Sequence, residues 1–470
     1  GTPSGAFPHE GVTMRSSRTT ALAMAGVLSL GLLAACSTDD EPSGEESDGK
    51  VTITVAGLQP GAETEAVDAL NARVEEFEKA NPDIDVEPEE YNWLASTFSA
   101  QLAGGTLPNV FEIPLTDAKT LIENGQLADI SAQFDSLSYA DDFNPNLLEA
   151  GTGSDGKVYA IPAKSIYGVA LHYNRNLFEQ AGLDPDQPPT TWDEVREYAK
   201  TIHDATGVAG YATMALDNAG GWQLAAAANS RGGVIQEQDG DSYTATLDDP
   251  AVKEHLQWLH DLRFTDGSIL PRTDLGWGEI NEAFAGGQLA MYTSGSDVYN
   301  ALVENNGLTE DWGYGLTAIP SSDGGGALTG GTLAAVTQES TDAQKDAAVK
   351  WIDFWYLSKM LDQDQAVADA KLRNENGQAV GTPVLPIFSE EQYATSLEWV
   401  KDYINVPLEN MKGYTDVMFT QPSIGEISAS TQDTYALLFP IVQAVLTDEN
   451  ADIDALLETA NTQGQALLDQ

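Results

Sequence analysis

Strand and helix patterns alternate along this chain, and that alternation limits its possible folds more than any other feature. Residues 51–56 read Val-Thr-Ile-Thr-Val-Ala, a β-branched pattern broken by polar residues that predicts a strand. A helix is predicted over about 63–80, ended by Asn81-Pro82, and a second strand over 83–91. Further strands are predicted at 109–113 and 168–173, and further helices at 117–124 and 192–206. This order predicts an α/β fold with largely parallel sheets.

Several helix starts carry capping residues. Thr191 and Thr341 each have a Glu or Gln three residues later, which is a capping box, and Asp249 precedes Pro250 as an N-cap precedes a first-turn proline. The acidic residues from Asp448 to Asp454 alternate like the ligands of a calcium loop, but the glycine and the final glutamate of such a loop are missing. We therefore predict a capped helix start at Asp452 instead of a metal site.

Composition excludes several classes of function. The 470 residues are 42% hydrophobic, which is enough apolar material for two lobes or domains. Asp and Glu number 73 against 22 Lys and Arg, and the net charge of −51 argues against nucleic-acid binding. With one cysteine, neither an intrachain disulfide nor a cysteine metal cluster can form. The glycine-rich run 324–331 lacks the Gly-Lys-Ser/Thr of a phosphate loop, and the sequence contains neither an HExxH nor a Gly-x-Ser-x-Gly motif. No catalytic residue, metal or cofactor is therefore expected.

The first residues of the chain have the pattern of an export signal. Arg15 and Arg18 follow Met14 and precede an apolar run from 21 to 33, which is too short to span a bilayer. Leu33-Ala34-Ala35-Cys36 resembles the lipobox of bacterial lipoprotein signals, in which the cysteine is acylated. We expect a signal peptide over 14–36, a disordered acidic linker over 37–49, and a mature protein held by its lipid at the outer face of the cell membrane.

Longer motifs follow one another in a characteristic order. They are Gly104–Glu112, Tyr159–Pro162, Leu171–Leu183, Pro189–Glu194, Phe284–Tyr292, Trp312–Pro320 and Gly330–Thr332. Together they resemble the carbohydrate-type ABC solute-binding family, the maltose-binding-protein-like family, over roughly residues 50–465. The resemblance implies a sugar-binding subunit that delivers its ligand to the permease of an ABC importer. It also implies a monomer without enzymatic activity, attached to the membrane through its lipid anchor only.

The same resemblance implies a two-lobed, type II periplasmic-binding-protein-like fold with a hinge and a ligand cleft between the lobes. Matching segments cross between the lobes near residues 165–170, 313–317 and 382–386. Lobe 1 then comprises 50–167 and 315–381, and lobe 2 comprises 168–314 and 382–470.

Tryptophans divide by their position in the predicted elements. Trp192 and the tryptophans at 258, 351, 355 and 399 lie in helices and are expected to pack in the core. The tryptophans at 93, 222, 277 and 312 lie in loops or at element ends, where indole rings can stack on the apolar face of a sugar. Trp222 is placed in a loop that begins at Asp217. Adding the motif positions, the predicted ligand-binding residues are Trp93, Glu112, Trp222, Trp277, Ser294, Asp297, Gly331 and Thr332.

Alternative ligands and activities remain open from the sequence. A protein of the same fold for a glycerol phosphodiester or a polyamine is one alternative, and an anchored glycoside hydrolase is another. A phosphorylated ligand needs Arg or Lys, which are scarce here, whereas a polyamine suits the acidic excess. Asp297 stands where the maltose-binding pattern has an aromatic residue, which argues against a long maltodextrin.

Overall fold

The structure, a computed structural model, describes residues 49–469 apart from 59, 62–63, 92, 94 and 240–241. The predicted signal peptide with Cys36, and the predicted linker up to residue 48, lie outside the described residues. Within the described part of the chain, none of the helices combines the length and the apolar character that a membrane span requires.

Strands and helices alternate as the sequence pattern predicts. The strands are β1 Val51–Leu58, β2 Ile84–Glu90, β3 Val110–Pro114, β4 Ala160–Asn174, β5 Gln236–Asp239, β6 Ser242–Ala245, β7 Met291–Gly295, β8 Tyr314–Ala318, β9 Ala327–Val336 and β10 Ser423–Gly425. The first helices are α1 Thr64–Ala80, α2 Ala95–Gly104, α3 Leu115–Glu123, α4 Ser131–Asp135, α5 Pro145–Leu148, α6 Arg175–Gln180, α7 Trp192–Thr206, α8 Asp217–Ser230 and α9 Pro250–Phe264. The remaining helices are α10 Trp277–Ala285, α11 Val298–Asn306, α12 Asp342–Ile352, α13 Ser358–Leu361, α14 Gln363–Glu375, α15 Glu390–Val400, α16 Lys412–Thr415, α17 Thr431–Thr447 and α18 Ile453–Leu468.

The main sheet is mixed and has the order β2-β1-β3-β9-β4-β7, with β10 beside β9 and β8 beside β4. Pairing is parallel between β1 and its neighbours β2 and β3, and between β9 and β10. The central pairs, β3 with β9 and β4 with β9, β7 and β8, are antiparallel. The α/β class is therefore confirmed. The expectation of largely parallel sheets is wrong, because the central strand β9 is antiparallel to its neighbours β3 and β4.

Strand β4 changes partners halfway along its length. Residues 160–168 pair with β9, and residues 169–174 pair with β7 and β8. The register with β9 shifts on both sides of Lys164, so that Tyr167 lies opposite Gly330 just before the change. The sequence pattern predicts only the second half of this strand, because Pro162 and Lys164 interrupt the alternation of apolar residues in the first half.

Predicted helix starts are confirmed where the caps can be seen. Thr191 and Thr341 each form a capping box with the residue three positions later, and the Asp249 side chain accepts a hydrogen bond from the Ala251 N–H. The Asp452 carboxylate accepts from the Ala455 N–H at 3.1 Å, which confirms a helix start at this position. These caps satisfy first-turn N–H groups that the helix itself leaves free.

The buried tryptophans pack as the sequence analysis expects. Trp192 and Trp258 lie in a core whose residues come from between Val169 and Ala460, with ring centroids 5.1 Å apart. Trp351 is fully buried in a second core, edge-on to Phe77 at 5.2 Å. The other two helical tryptophans, 355 and 399, are only half-buried, and Trp355 stacks on Trp351 at 5.5 Å.

Candidate functional site

A cavity of about 690 Å³ opens beside the point where β4 changes partners. Its wall comes from the end of β3 and the start of α3, from Tyr167 of β4, from the starts of α8 and α10, from the end of β7, and from the segment that leads into α17. The lining residues are Trp93, Phe98, Ser99, Pro114, Thr116, Asp117, Tyr167, Met214, Asn218, Ala219, Trp222, Trp277, Gly295, Asp297, Glu426, Ser428, Ser430, Thr431, Gln432, Asp433 and Tyr435.

Aromatic rings form much of this wall. Trp93, Trp222 and Trp277 all line the cavity, and Tyr167 meets Trp222 edge-on with ring centroids 6.3 Å apart. Trp277 is 47% exposed, which is unusual for so large an apolar side chain. A ring with an apolar face could stack on these indoles.

Four of the predicted binding residues lie in the cavity wall: the three tryptophans at 93, 222 and 277, and Asp297. The expectation that Trp222 lies in a loop is wrong, because residues 217–222 already belong to α8. That helix begins at Asp217 with φ of 50°, a left-handed conformation that is uncommon outside glycine. An Asp-Asn-Ala-Gly-Gly run is typical of a loop, so tertiary packing overrides local propensity here.

Glu112 does not line the cavity. Its carboxylate forms an ion pair with the Lys164 ammonium at 2.8 Å and accepts a hydrogen bond from the Tyr356 hydroxyl at 2.7 Å. Its neighbours Phe111 and Ile113 are fully buried on the other face of β3, as the alternation of a strand requires. Glu112 therefore connects β3 with Lys164 of β4 and with Tyr356, and its contact with a ligand stays a prediction.

Ser294, Gly331 and Thr332 also lie away from the cavity wall. Ser294 is fully buried in β7, and its carbonyl oxygen lies 3.2 Å from a ring nitrogen of His172. Thr332, in β9, pairs with Pro114 of β3 on one side and with Lys164 of β4 on the other. Gly331 has φ of 149°, a backbone conformation that favours glycine. All three residues lie in paired strands, and their contact with a ligand stays a prediction.

Trp312 has a structural environment as well. Its indole N–H donates to the Ala285 carbonyl at 2.9 Å, and its ring lies 4.8 Å from that of Phe284. It ends a short 3₁₀ turn over Glu310–Trp312 and is not part of the cavity wall.

Carboxylates are the charged groups of the cavity. The described lining residues include Asp117, Asp297, Glu426 and Asp433, and no Lys, Arg or His. Burial raises the pKa of Asp297 and of Asp117, and a hydrogen bond from the Thr116 hydroxyl opposes the rise at Asp117. Such a wall accepts hydrogen bonds from hydroxyl or amine groups and repels phosphate.

Glu426 has the most altered environment of these acids. Burial raises its pKa to about 7, hydrogen bonds from Tyr435 and Trp222 lower it, and the charge of Asp117 raises it further. The Tyr435 hydroxyl donates to the Glu426 carboxylate at 3.2 Å. Near neutral pH this carboxyl can therefore serve as a donor or as an acceptor.

Helix starts supply hydrogen-bond donors to the same wall. Three helices, α3, α8 and α17, begin at the cavity, and their N-cap residues Pro114, Leu216 and Ser430 provide no side-chain cap. The first N–H groups of a helix have no partner within it, so those of α3, α8 and α17 remain for a ligand or water. Backbone donors here offset the lack of basic side chains.

Sequence reasoning missed Asp117, Tyr167, Glu426 and Tyr435. The one available signal was the polar run Ser428-Ala-Ser-Thr-Gln-Asp433, which leads into the apolar part of α17 and is typical of an exposed segment. Nothing in the spacing links that run to Trp93 or Trp222, because the fold brings these segments together over hundreds of residues.

The mixed sheet, the strand that changes partners and the aromatic cavity beside it define an α/β ligand-binding protein. The chain belongs to the bacterial extracellular solute-binding protein family, whose sequence profile matches residues 72–372.

Individual relatives agree with this assignment. The chain is 25% identical over 322 residues to the sn-glycerol-3-phosphate-binding periplasmic protein UgpB of Salmonella typhimurium, covering 65% of this chain and 70% of that protein. It superimposes on the cyclic alpha-maltosyl-1,6-maltose binding protein of Arthrobacter globiformis with a TM-score of 0.66 and 26% identity, covering 89% and 99% of the two chains. The sugar-binding protein MalE of Xanthomonas citri gives a TM-score of 0.67 at 17% identity, with 89% and 98% covered, a likeness of fold.

Proposed function

We propose that this protein is the extracytoplasmic substrate-binding subunit of an ABC importer and that it captures a neutral sugar in the aromatic cavity. The cavity wall itself is the main support: three indole rings, four carboxyl groups and uncapped helix starts surround a space of about 690 Å³. Indoles stack on the apolar face of a sugar ring, carboxylates accept from its hydroxyls, and backbone N–H groups donate to them. The protein acts by binding and release, and breaks no bond.

The charge of the wall separates a sugar from a phosphorylated ligand. The Salmonella relative binds sn-glycerol 3-phosphate by name. Uncapped helix starts can donate to a phosphate, but the four carboxyl groups of the wall repel its negative charge. The described residues that line the cavity offer carboxyl groups and no basic side chain. A neutral hydroxylated ligand is therefore favoured over a glycerol phosphate, and the Arthrobacter neighbour, a cyclic maltosyl-maltose binding protein by name, shows that the fold accommodates sugars.

Thermal denaturation with a ligand panel tests this proposal. A ligand at 100 times its dissociation constant stabilises the protein by about 2.7 kcal/mol, which is several degrees of melting temperature for most domains. The panel contains neutral mono- and oligosaccharides, sn-glycerol 3-phosphate and spermidine. A shift with a neutral sugar supports the proposal, whereas a shift with sn-glycerol 3-phosphate or spermidine alone contradicts it.

We further propose that the two lobes predicted from sequence close on the ligand. Lobe 1 is assigned residues 50–167 and 315–381, lobe 2 the remainder, and the partner change of β4 at residue 168 lies next to that boundary. Of the cavity wall, Trp93 and Asp117 belong to lobe 1, and Trp222 and Trp277 to lobe 2. A ligand held by both sets favours the closed state through its differential affinity. Solution scattering should show a smaller radius of gyration with the sugar, and an unchanged radius at saturation contradicts closure.

Anchoring through Cys36 is proposed from the sequence. The lipobox-like tetrad predicts that this cysteine carries the lipid, and that the monomeric protein then presents its closed form to the permease. The variant Cys36→Ala should appear in the soluble fraction when cells are fractionated. Retention of this variant in the membrane fraction with its signal peptide cut normally contradicts the anchor.

A further inference from the structure

A second cavity, of about 910 Å³, adjoins the aromatic one. The two share three wall residues, Thr116, Glu426 and Ser428. The second cavity lies along the length of α3 and reaches the segment between Pro145 and Ser154. Because the cavities share these residues, they form neighbouring parts of one cleft, with Glu426 at the junction.

The walls of the two parts differ in chemistry. Three tryptophans line the first cavity, whereas the described residues lining the second include no aromatic ring. Aliphatic side chains such as Leu115 and Ile122 are interspersed there with polar groups such as Glu123 and Ser154. A sugar unit can be held in the second part by hydrogen bonds and aliphatic contact, without the stacking that the first part provides.

We propose that the second cavity is a subsite for further sugar units, so that the ligand is an oligosaccharide whose chain passes Glu426. This inference rests on the proposed sugar-binding function and specifies the ligand's length. Binding sites for drug-sized ligands have volumes of about 300 to 1,000 Å³, and each part of the cleft alone lies within that range. A single ring would leave most of the cleft to water.

Polar groups in the second part are placed to meet hydroxyls. The Lys119 ammonium donates to the Gln238 side-chain oxygen at 2.7 Å, and this hydrogen bond is exposed to solvent. An ammonium retains two further donors, and the Glu123 carboxylate, also exposed, can accept. At the junction, the Glu426 carboxyl borders both parts and can contact the sugar unit that links them.

Affinity measured against chain length tests the subsite. Calorimetry would use malto-, cello- and chito-oligosaccharides of one to six units with the full mature protein. In the series that binds, affinity should rise by about tenfold or more as the chain grows beyond the units that fill the aromatic cavity. Ser154→Leu, which narrows the second cavity from an exposed loop, should remove that gain and leave the shortest binding sugar unaffected.

A second variant tests the same point by removing contacts instead of space. The double variant Lys119→Ala, Glu123→Ala should also lose the gain with length, and both residues lie on the exposed side of α3, so the fold should persist. Ser136→Leu, at an exposed serine outside both cavities, is the matched control and should keep the gain.

The outcomes separate this inference from the function on which it rests. If a monosaccharide binds as tightly as its longer homologues, or if Ser154→Leu and the double variant keep the full gain with length, the second subsite is wrong and the sugar-binding function stands. If no member of any series binds, the proposed function is wrong too.

Discussion

Two aromatic groups in this protein contain similar residues in opposite environments. The core group consists of Trp192, Tyr211, His255 and Trp258, and the cleft group of Trp93, Tyr167, Trp222 and Trp277. In the core group the Trp192 N–H donates to the Ser230 hydroxyl and the Trp258 N–H to the Trp192 carbonyl, each at 3.0 Å.

The cleft group differs in exposure. Trp277 is 47% exposed, and Trp222 is half-buried at the border of the two large cores. A tryptophan whose ring is enclosed and whose N–H has a partner inside the protein contributes to stability. One that keeps an open face at a cavity contributes to binding. The following variants test that distinction, beginning with the largest expected effect.

Trp192→Ala should cost about 3 to 5 kcal/mol of folding free energy, because it removes a large buried ring and its hydrogen bond to Ser230. Urea denaturation measures this loss. Trp192→Phe, which keeps most of the ring contact, should cost clearly less. A Trp192→Ala protein as stable as the wild type would show that the core group is not a stabilising unit.

Trp277→Ala should weaken sugar binding by about 1 to 3 kcal/mol, the range expected when an aromatic contact at a binding site is removed. Its melting temperature without ligand should stay close to that of the wild type, because nearly half of the residue's surface is already in water. Calorimetry checks affinity, and Trp399→Ala, at a half-buried ring outside the cavity, is the control. Equal affinities of wild type and Trp277→Ala would remove this ring from the site.

Glu426 should make stability depend on pH. Its pKa is about 7 in the folded protein against an ordinary value of 4.5, so between these values the folded state binds more protons than the unfolded state. Stability contributed by the neutral carboxyl is complete below about pH 4.5 and is lost as pH rises through 7. The loss should be up to about 3 kcal/mol, because a tenfold difference in proton affinity corresponds to about 1.4 kcal/mol. In Glu426→Gln the free energy of unfolding should depend less on pH over this range. The same dependence in the variant as in the wild type would contradict the raised pKa of Glu426.

Glu112→Gln should have the smallest effect. Its ion pair with Lys164 is partly exposed, and a glutamine can still accept from Tyr356, so we expect a loss below about 1 kcal/mol. Affinity for the sugar should not change, since Glu112 lies outside the cavity wall. A tenfold loss of affinity in calorimetry would return Glu112 to the binding site.

Local signals predicted the elements of this fold well. The helix at 192–206 has the predicted bounds, and Thr191 and Thr341 cap helices as expected, because a cap depends on residues three positions apart. The first half of β4 was missed because pairing with β9, 161 residues or more away, holds it in place despite Pro162. Strand direction could not be predicted either, since it depends on how distant strands meet.

The site was harder to predict than the fold. Tryptophans 93, 222 and 277 could be predicted because they lie outside the long helical patterns of the sequence, and Asp297 because of its position in the family's motif order. Glu426 and Tyr167 look ordinary along the chain, and only the fold shows that they share a wall with Asp117. Glu112 had the right motif, but strand alternation directs its side chain to Lys164 and Tyr356.

The position of β9 in the centre of the sheet determines when that sheet can be completed during synthesis. Strand β3 is complete at Pro114, but its antiparallel partner β9 does not begin until Ala327, more than two hundred residues later. At about 5 to 20 residues per second, a ribosome needs roughly ten to forty seconds to make that stretch. During this time one edge of β3 has no neighbour, and contacts of such long sequence separation form slowly. The sheet around β3 therefore cannot be completed until most of the chain has been synthesised.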